Sequence, residues 1–127
     1  MLILDTDVLI DCLRGRSEAA AFIKQLIAED ELAISVISVA ELEAGVRDGE
    51  RETLDAFLSL MQRHPVSEAI ARTAGAYARQ YAKSHGLLLP DAIIAATAHH
   101  HSGSLATLNR KHYPMIDISL QIPYPKA

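Results

Sequence analysis

Short apolar runs alternate along this chain with longer stretches of helical periodicity, and that alternation limits what it can fold into. Leu2-Ile3-Leu4 has the length of a strand, and helix-periodic sequence follows over residues 8–14 until Gly15 stops it. Ser17 is placed to cap a second helix running to about residue 29, and Leu32-Ala33-Ile34-Ser35 reads as the next strand. Ser38 and Glu41 match the capping box, in which a serine and an acid three residues on satisfy backbone N–H groups reciprocally. A helix is therefore expected from there to about Gly49. Another is expected over residues 51–63, broken by Pro65. Ser67 is placed to cap a long helix whose apolar positions Ile70, Ala74, Tyr77, Ala78 and Tyr81 recur at three- and four-residue steps, and Gly86 ends it. Pro90 suits a helix's first turn, and residues 92–98 read as a buried helix of small side chains. Ser104-Leu105-Ala106-Thr107 and Met115-Ile116-Asp117-Ile118 are expected as late strands, with a short turn or helix over residues 109–113.

Strands separated by helices pair in parallel, because parallel neighbours need a crossover and a helix fills it. The expected fold is α/β, a three-layer α/β/α sandwich with a central, mostly parallel sheet. With 127 residues and no linker or repeat, residues 1–127 are expected to form a single domain. Sixteen acids against 12 Lys and Arg leave a formal charge of −4, which excludes nucleic-acid binding through a wholly basic surface. The single cysteine, Cys12, excludes an internal disulfide and a four-cysteine zinc site and suggests a reducing compartment. The apolar start is cut by Asp5, Asp7 and Asp11 and lacks the basic head of a secretory signal. The longest stretch free of Asp, Glu, Lys and Arg, residues 92–109, carries three histidines and is no membrane span. A soluble, cytoplasmic protein is expected.

Most of the acids sit in polar company, such as Glu29-Asp30-Glu31 or the mixture of Asp48, Glu50, Glu52 and Asp55 with Arg47 and Arg51. Three stand apart. Asp5 ends the first strand, Glu41 falls in the first turn of the helix after the second strand, and Asp91 falls in the first turn of the helix that Pro90 opens. In a parallel sheet all three belong to the carboxyl rim, where ligands of such folds bind. Each has a simpler reading alone: Asp5 as a helix cap, Glu41 as the acid of the capping box, Asp91 as an acid favoured by the helix dipole. Together, three carboxylates on one rim repel unless a cation neutralises them. An oxygen-only donor set favours Mg²⁺ or Mn²⁺ over zinc. Thr6 is expected to support the metal shell with its hydroxyl, Asp7 to sit near the helix start, and Asp11 to be exposed or paired with Arg14.

Other groups carry plainer readings. Consecutive histidines point about 100° apart on a helix, so at most two of His99, His100 and His101 could share an ion, and the helix dipole or the surface accounts for them better. Cys12 reads as a small buried residue, and Tyr77 and Tyr81 as packing residues of a core or an interface.

The acid-bearing segments resemble those of a known family. Asp5-Thr6-Asp7-Val8-Leu9-Ile10-Asp11, Ser38-Val39-Ala40-Glu41-Leu42-Glu43-Ala44-Gly45, Pro90-Asp91-Ala92-Ile93-Ile94-Ala95 and Ala106-Thr107-Leu108-Asn109-Arg110-Lys111-His112-Tyr113-Pro114 are similar, in order and over essentially the whole chain, to PIN-domain ribonucleases of the VapC toxin group. The resemblance implies an Mg²⁺- or Mn²⁺-dependent endoribonuclease, the toxin of a toxin–antitoxin pair, usually dimeric and silenced by a cognate VapB-type antitoxin. It carries the family's first three acids, as catalytic and metal-binding residues, onto Asp5, Glu41 and Asp91. Family members often have a further Asp at the position of Asn109 or of His112; here Asn109 and Thr107 offer a carbonyl oxygen and a hydroxyl instead.

Hydrolysis of a phosphodiester needs an activated water and neutral surroundings for charge growing on the phosphoryl oxygens, and a carboxylate-held metal supplies both. Asp5 and Asp91 are expected as direct ligands, with Glu41 binding through water or orienting it. An anionic RNA needs basic flanks to approach an acidic pocket, for which Arg14, Arg16, Arg110 and Lys111 are the candidates. An aromatic content of 5% leaves little for base stacking, so an RNA read by shape is expected rather than a long unpaired strand. Two other functions stay open at this point. A haloacid-dehalogenase-type phosphatase resembles the chain at Asp5-Thr6-Asp7 only. A catalytically silent PIN-like module binding RNA or protein would account for the missing fourth acid.

Overall fold

The computed structural model describes residues 1–101 and 103–126; Ser102 and Ala127, the last residue of the expected single domain, lie outside them. In chain order the elements are β1 (Leu2–Leu4), α1 (Thr6–Leu13), α2 (Ser17–Ala28), β2 (Leu32–Ser35), α3 (Val36–Ala44), α4 (Arg51–Ser59), β3 (Gln62–His64), α5 (Glu68–His85), α6 (Leu89–His101), β4 (Ser104–Ala106), a single 3₁₀ turn (Arg110–His112) and β5 (Ser119–Gln121). All four strand pairings are parallel, in the order β3-β2-β1-β4-β5.

Strand periodicity divides the core between the two faces. Leu2 and Leu4 of β1, Leu32 and Ile34 of β2 and Ala106 of β4 join a cluster with Val8, Leu9, Ile23, Leu54 and Leu58 from α1, α2 and α4. Ile3, Ala33 and Leu105 point the other way, into a cluster with Ile70, Ala74 and Tyr77 of α5 and Ile94 and Ala95 of α6. The expected three-layer sandwich is what this alternation builds. The chain runs outward from β1 to β2 and β3, then returns to lay β4 and β5 on the other flank. The strand order therefore reverses between β1 and β4, where a cleft opens at the carboxyl edge.

Several boundaries differ from expectation, each for a local reason. α2 begins at Ser17 itself, capped by the backbone of Arg16 without a side-chain bond. α3 begins at Val36, and the capping oxygen is that of Ser35, which accepts from the Ile37 N–H at 3.1 Å. Ser38 is thus inside the helix and fully buried, and Glu41 lies one turn deeper than the capping box placed it. α3 ends at Ala44 with Gly45 as its cap, short of Gly49. α4 stops at Ser59, and residues 62–64 pair with β2 instead of continuing the helix. This edge strand buries only His64, so it lacks the apolar run that betrays a strand in sequence. The last strand is Ser119–Gln121: Met115 and Ile118 are buried in a loop while Ile116 stands in solvent, as a turn at residues 116–117 requires.

The long α5 behaves as its sequence predicts, with the Ser67 oxygen accepting from the Ile70 N–H at 3.2 Å and Gly86 closing it in the left-handed region at φ 65°. A Cβ at Gly86 would meet nothing within 4 Å, so only backbone strain opposes a side chain. Gly86→Ala is expected to lower stability by about 1–2 kcal/mol in a urea titration, with the fold otherwise retained.

Candidate active site

Three helices and two strand ends meet at the reversal point. Leu4 is the last apolar residue of β1, and the Asp5 N–H still pairs with the Ala106 carbonyl at 2.9 Å, which ties the end of β1 to the end of β4. Asp5 then caps α1, its Oδ1 accepting from the Thr6 N–H at 2.8 Å. From β4 the chain presents Thr107, fully buried, whose hydroxyl donates to Asp5 Oδ2 at 2.7 Å and accepts from the Asn109 N–H at 2.9 Å. Glu41 reaches in from α3, its Oε1 accepting from the Thr6 hydroxyl at 2.6 Å; that hydroxyl also lies 2.8 Å from Ser38 Oγ. Asp91 comes from the first turn of α6. Asp5, Thr6, Asp7, Glu41, Asp91, Asn109 and His112 line one cavity of about 280 Å³. Asp5, Glu41 and Asp91 thus line one cavity, though among the described residues they do not close into a three-carboxylate cage.

A residue the sequence reading passed over stands among them. The Tyr113 hydroxyl donates to Asp5 Oδ2 at 2.9 Å and lies 3.5 Å from Asp91 Oδ1. Only its place at the end of a motif shared with the acids hinted at it; a buried ring is indistinguishable in sequence from ordinary core. Asp5 therefore accepts three hydrogen bonds, one on Oδ1 and two on Oδ2. Of its roughly four lone-pair sites, the remaining one is on Oδ1.

Burial dominates the electrostatics. Asp5 is 5% exposed, and loss of water pushes its carboxyl up from the ordinary 3.8 to about 6, with Asp91's charge adding and the bonds from Thr107, Tyr113 and Thr6 opposing. Burial likewise pushes Asp7 up from 3.8 to about 7, helped by the charge of Asp5. Asp7 Oδ2 accepts from the Leu108 N–H at 3.2 Å, whereas Oδ1 is buried with no partner among the described residues. Apart from the His112 imidazole, the donors lining this cavity are oxygens, a set suited to a hard divalent cation. Among the described residues no three His, Cys, Asp or Glu side chains are grouped closely enough to hold an ion by themselves. The cavity thus fits an ion that takes one or two carboxylates and keeps waters for the rest, which is how Mg²⁺ binds.

The basic candidates separate into two pairs. Arg14 donates to Glu50 Oε2 at 2.8 Å and to the Gly45 carbonyl at 3.3 Å, and it lines a neighbouring apolar groove with Leu13, Leu42, Val46 and Leu54. Arg16 pairs with Asp11 at 3.2 Å and Glu18 at 3.4 Å and lies over the Tyr124 ring. Neither is brought to the acid cavity. Asp11 is accordingly the partner of Arg16 and of the Tyr124 hydroxyl, not of Arg14, because α1 ends at Leu13 and turns Arg14 towards Glu50. Arg110 and Lys111 are exposed on the 3₁₀ turn beside the cavity. His112 has Nδ1 3.6 Å from Asp91 Oδ2. Away from the site, His99 meets Asp117 at 3.1 Å, His100 meets Thr73 at 2.8 Å, and His101 stacks on His64 at 3.7 Å between ring centres. Tyr77 is buried with its hydroxyl on Asp117 at 2.9 Å, Tyr81 packs beside it, and Cys12 is half-buried at the edge of the first cluster rather than within it.

Comparison with known proteins returns one family and one architecture. The family model "PIN domain" matches residues 2–115. Among curated proteins, ribonuclease VapC10 of Mycobacterium tuberculosis is 42% identical over 118 residues, spanning 92% of this chain and 89% of that protein. Ribonuclease VapC19 of the same organism is 42% identical over 126 residues, spanning 98% of this chain and 100% of that one. Among solved structures, a toxin–antitoxin complex from Klebsiella pneumoniae superposes with a TM-score of 0.77 at 32% identity, covering 99% of this chain and 100% of its own.

The buried acids set a pH dependence of stability. A carboxyl whose folded value is raised binds its proton more tightly when folded, so stability falls as pH climbs from the unfolded value near 3.8 through the folded values near 6 and 7. Asp7→Asn keeps an acceptor for the Leu108 N–H and removes the charge. In metal-free buffer it is expected to raise Tm at about pH 8 by roughly 3–8 °C, a gain that shrinks towards zero at about pH 4 in differential scanning calorimetry.

Proposed function

The chain belongs to the PIN-domain family, and on that premise we propose that it is a divalent-metal-dependent endoribonuclease acting as the toxin of a toxin–antitoxin pair. The observation that carries the reading is the meeting of Asp5, Glu41 and Asp91 in one cavity at the strand-order reversal. The likeness to ribonucleases VapC10 and VapC19 supports RNA as the substrate. The likeness to a toxin–antitoxin complex supports a cognate antitoxin, of VapB type, as the partner; a homodimer of this chain is the assembled form that the resemblance in sequence implies. Among the described residues no helix is long and apolar enough to cross a membrane, and the proposed site of action is the cytoplasm.

Asp5 and Asp91 are assigned as the direct ligands of Mg²⁺ or Mn²⁺. A dication bound there supplies charge neutralisation at the phosphoryl oxygens and a more acidic water. Thr6 holds Glu41 by Oε1, which leaves Oε2 to accept a proton from the attacking water. Thr107 and the Thr6 N–H keep the Asp5 carboxylate from turning, and Asp7 fastens the loop that carries Thr107 and Asn109 through the Leu108 N–H. Arg110 and Lys111 meet the RNA backbone at the cavity's edge, since Arg14 and Arg16 are occupied elsewhere.

Purified protein is expected to cut a structured RNA internally with Mg²⁺ or Mn²⁺ and to stop on chelation. Asp5→Asn and Asp91→Asn should each slow cleavage by more than the roughly 10–100-fold that follows loss of a residue one step removed from a metal. Equal cleavage by wild type and Asp5→Asn, followed on end-labelled RNA, would assign the activity to a contaminant and the chain to a silent binding module.

A further inference from the structure

Tyr113 is unlike the other buried tyrosines. The hydroxyls of Tyr77 and Tyr124 each reach one acid outside the cavity, Asp117 and Asp11. That of Tyr113 reaches two, and both are acids of the cavity. Its ring is 2% exposed and packed in the cluster beneath α5 and α6, so the hydroxyl sits at a fixed point. The backbone is fixed as well: the Tyr113 N–H donates to the Arg110 carbonyl at 3.1 Å, and Pro114 bars helical backbone at the residue before it. Asp5 and Asp91 come from elements far apart in sequence and repel each other. A single neutral donor between them offsets that repulsion without bringing a charge of its own. Its one hydrogen serves Asp5 closely and Asp91 loosely, at 2.9 and 3.5 Å. Without it, among the described residues Asp5 Oδ2 would keep only Thr107, and Asp91 only the 3.6 Å approach of His112.

We propose that Tyr113 is a positioning residue: its hydroxyl holds the carboxylates of Asp5 and Asp91 at the spacing that receives a divalent cation, and so sets how tightly the cavity binds one. The inference rests on the metal-dependent reading given above. It adds a residue that touches neither ion nor substrate but keeps the two ligating acids from springing apart. A core role predicts something different, namely that the ring alone matters and the hydroxyl is dispensable.

The test is Tyr113→Phe in the intact protein, with Mn²⁺ binding measured by calorimetry in the absence of RNA. The Mn²⁺ Kd is expected to rise on the order of 10-fold, the Mn²⁺ midpoint of RNA cleavage to rise by a similar factor, and kcat at saturating Mn²⁺ to stay near wild type with KM for RNA unchanged. Tyr77→Phe, which removes a hydroxyl from Asp117 beside His99, towards the other end of α6 from Asp91, is the control and should bind Mn²⁺ as wild type does. Unchanged or tighter Mn²⁺ binding by Tyr113→Phe would overturn the proposal, as would an equal weakening in Tyr77→Phe, which would mean general loosening of the core. Wild-type protein that binds Mn²⁺ no better than Asp5→Asn would overturn the metal reading beneath it.

Discussion

Burying the Asp5 carboxylate at the end of the central strand costs free energy that its three hydrogen bonds only partly offset, since the group still titrates well above an ordinary aspartate. Each donor comes from a different part of the chain: Thr6 from the start of α1, Thr107 from the end of β4, Tyr113 from the turn beyond it. Satisfying one anion therefore brings β1, β4 and the segment after β4 together. The same bonds leave one lone-pair site of Asp5 open. The three bonds fix the orientation of the carboxylate within the fold itself, and a preset orientation lowers the ordering cost of binding any ligand there.

The topology explains why this convergence happens at the carboxyl edge and nowhere else. Parallel strands all deliver their following residues to one edge, and the reversal of strand order between β1 and β4 leaves a gap there that no crossover helix fills. Into it come the acid that ends a strand, an acid from the second turn of α3 and an acid from the first turn of α6. The opposite edge receives the ends of α2 and α6 and holds the histidine run, which forms ordinary polar and stacking contacts. The clustered acids and the plainer polar residues are thus sorted by which end of the sheet they fall on.

Much of this architecture is legible in the sequence, and the exceptions have physical reasons. β1 and β2 were readable because each is a continuous apolar run buried on both faces, and α5 because its cap, its period and its terminal glycine agree. β3 was not, since an edge strand of Gln, Arg and His buries one side chain and carries no strand signal. The cap of α3 is Ser35, three residues before the Ser38 that the capping-box pattern favours. Ser35 and Ser38 are equally good caps in isolation, and only the β2 pairing decides which leaves the sheet first. Arg14 and Arg16 looked available to substrate because sequence does not show that Glu50, Asp11 and Tyr124 lie within their reach.

By itself the sequence determined the layer order, the parallel pairing and which acids face one rim, because periodicity and punctuation are local and act through backbone geometry. What the tertiary structure decided is how those acids are held: Tyr113 between Asp5 and Asp91, Thr107 on Asp5, Thr6 on Glu41. These bonds join residues tens of positions apart, and their geometry follows from how helices seat on a twisted sheet. No run of residues encodes a distance between two side chains that meet only after the chain has packed.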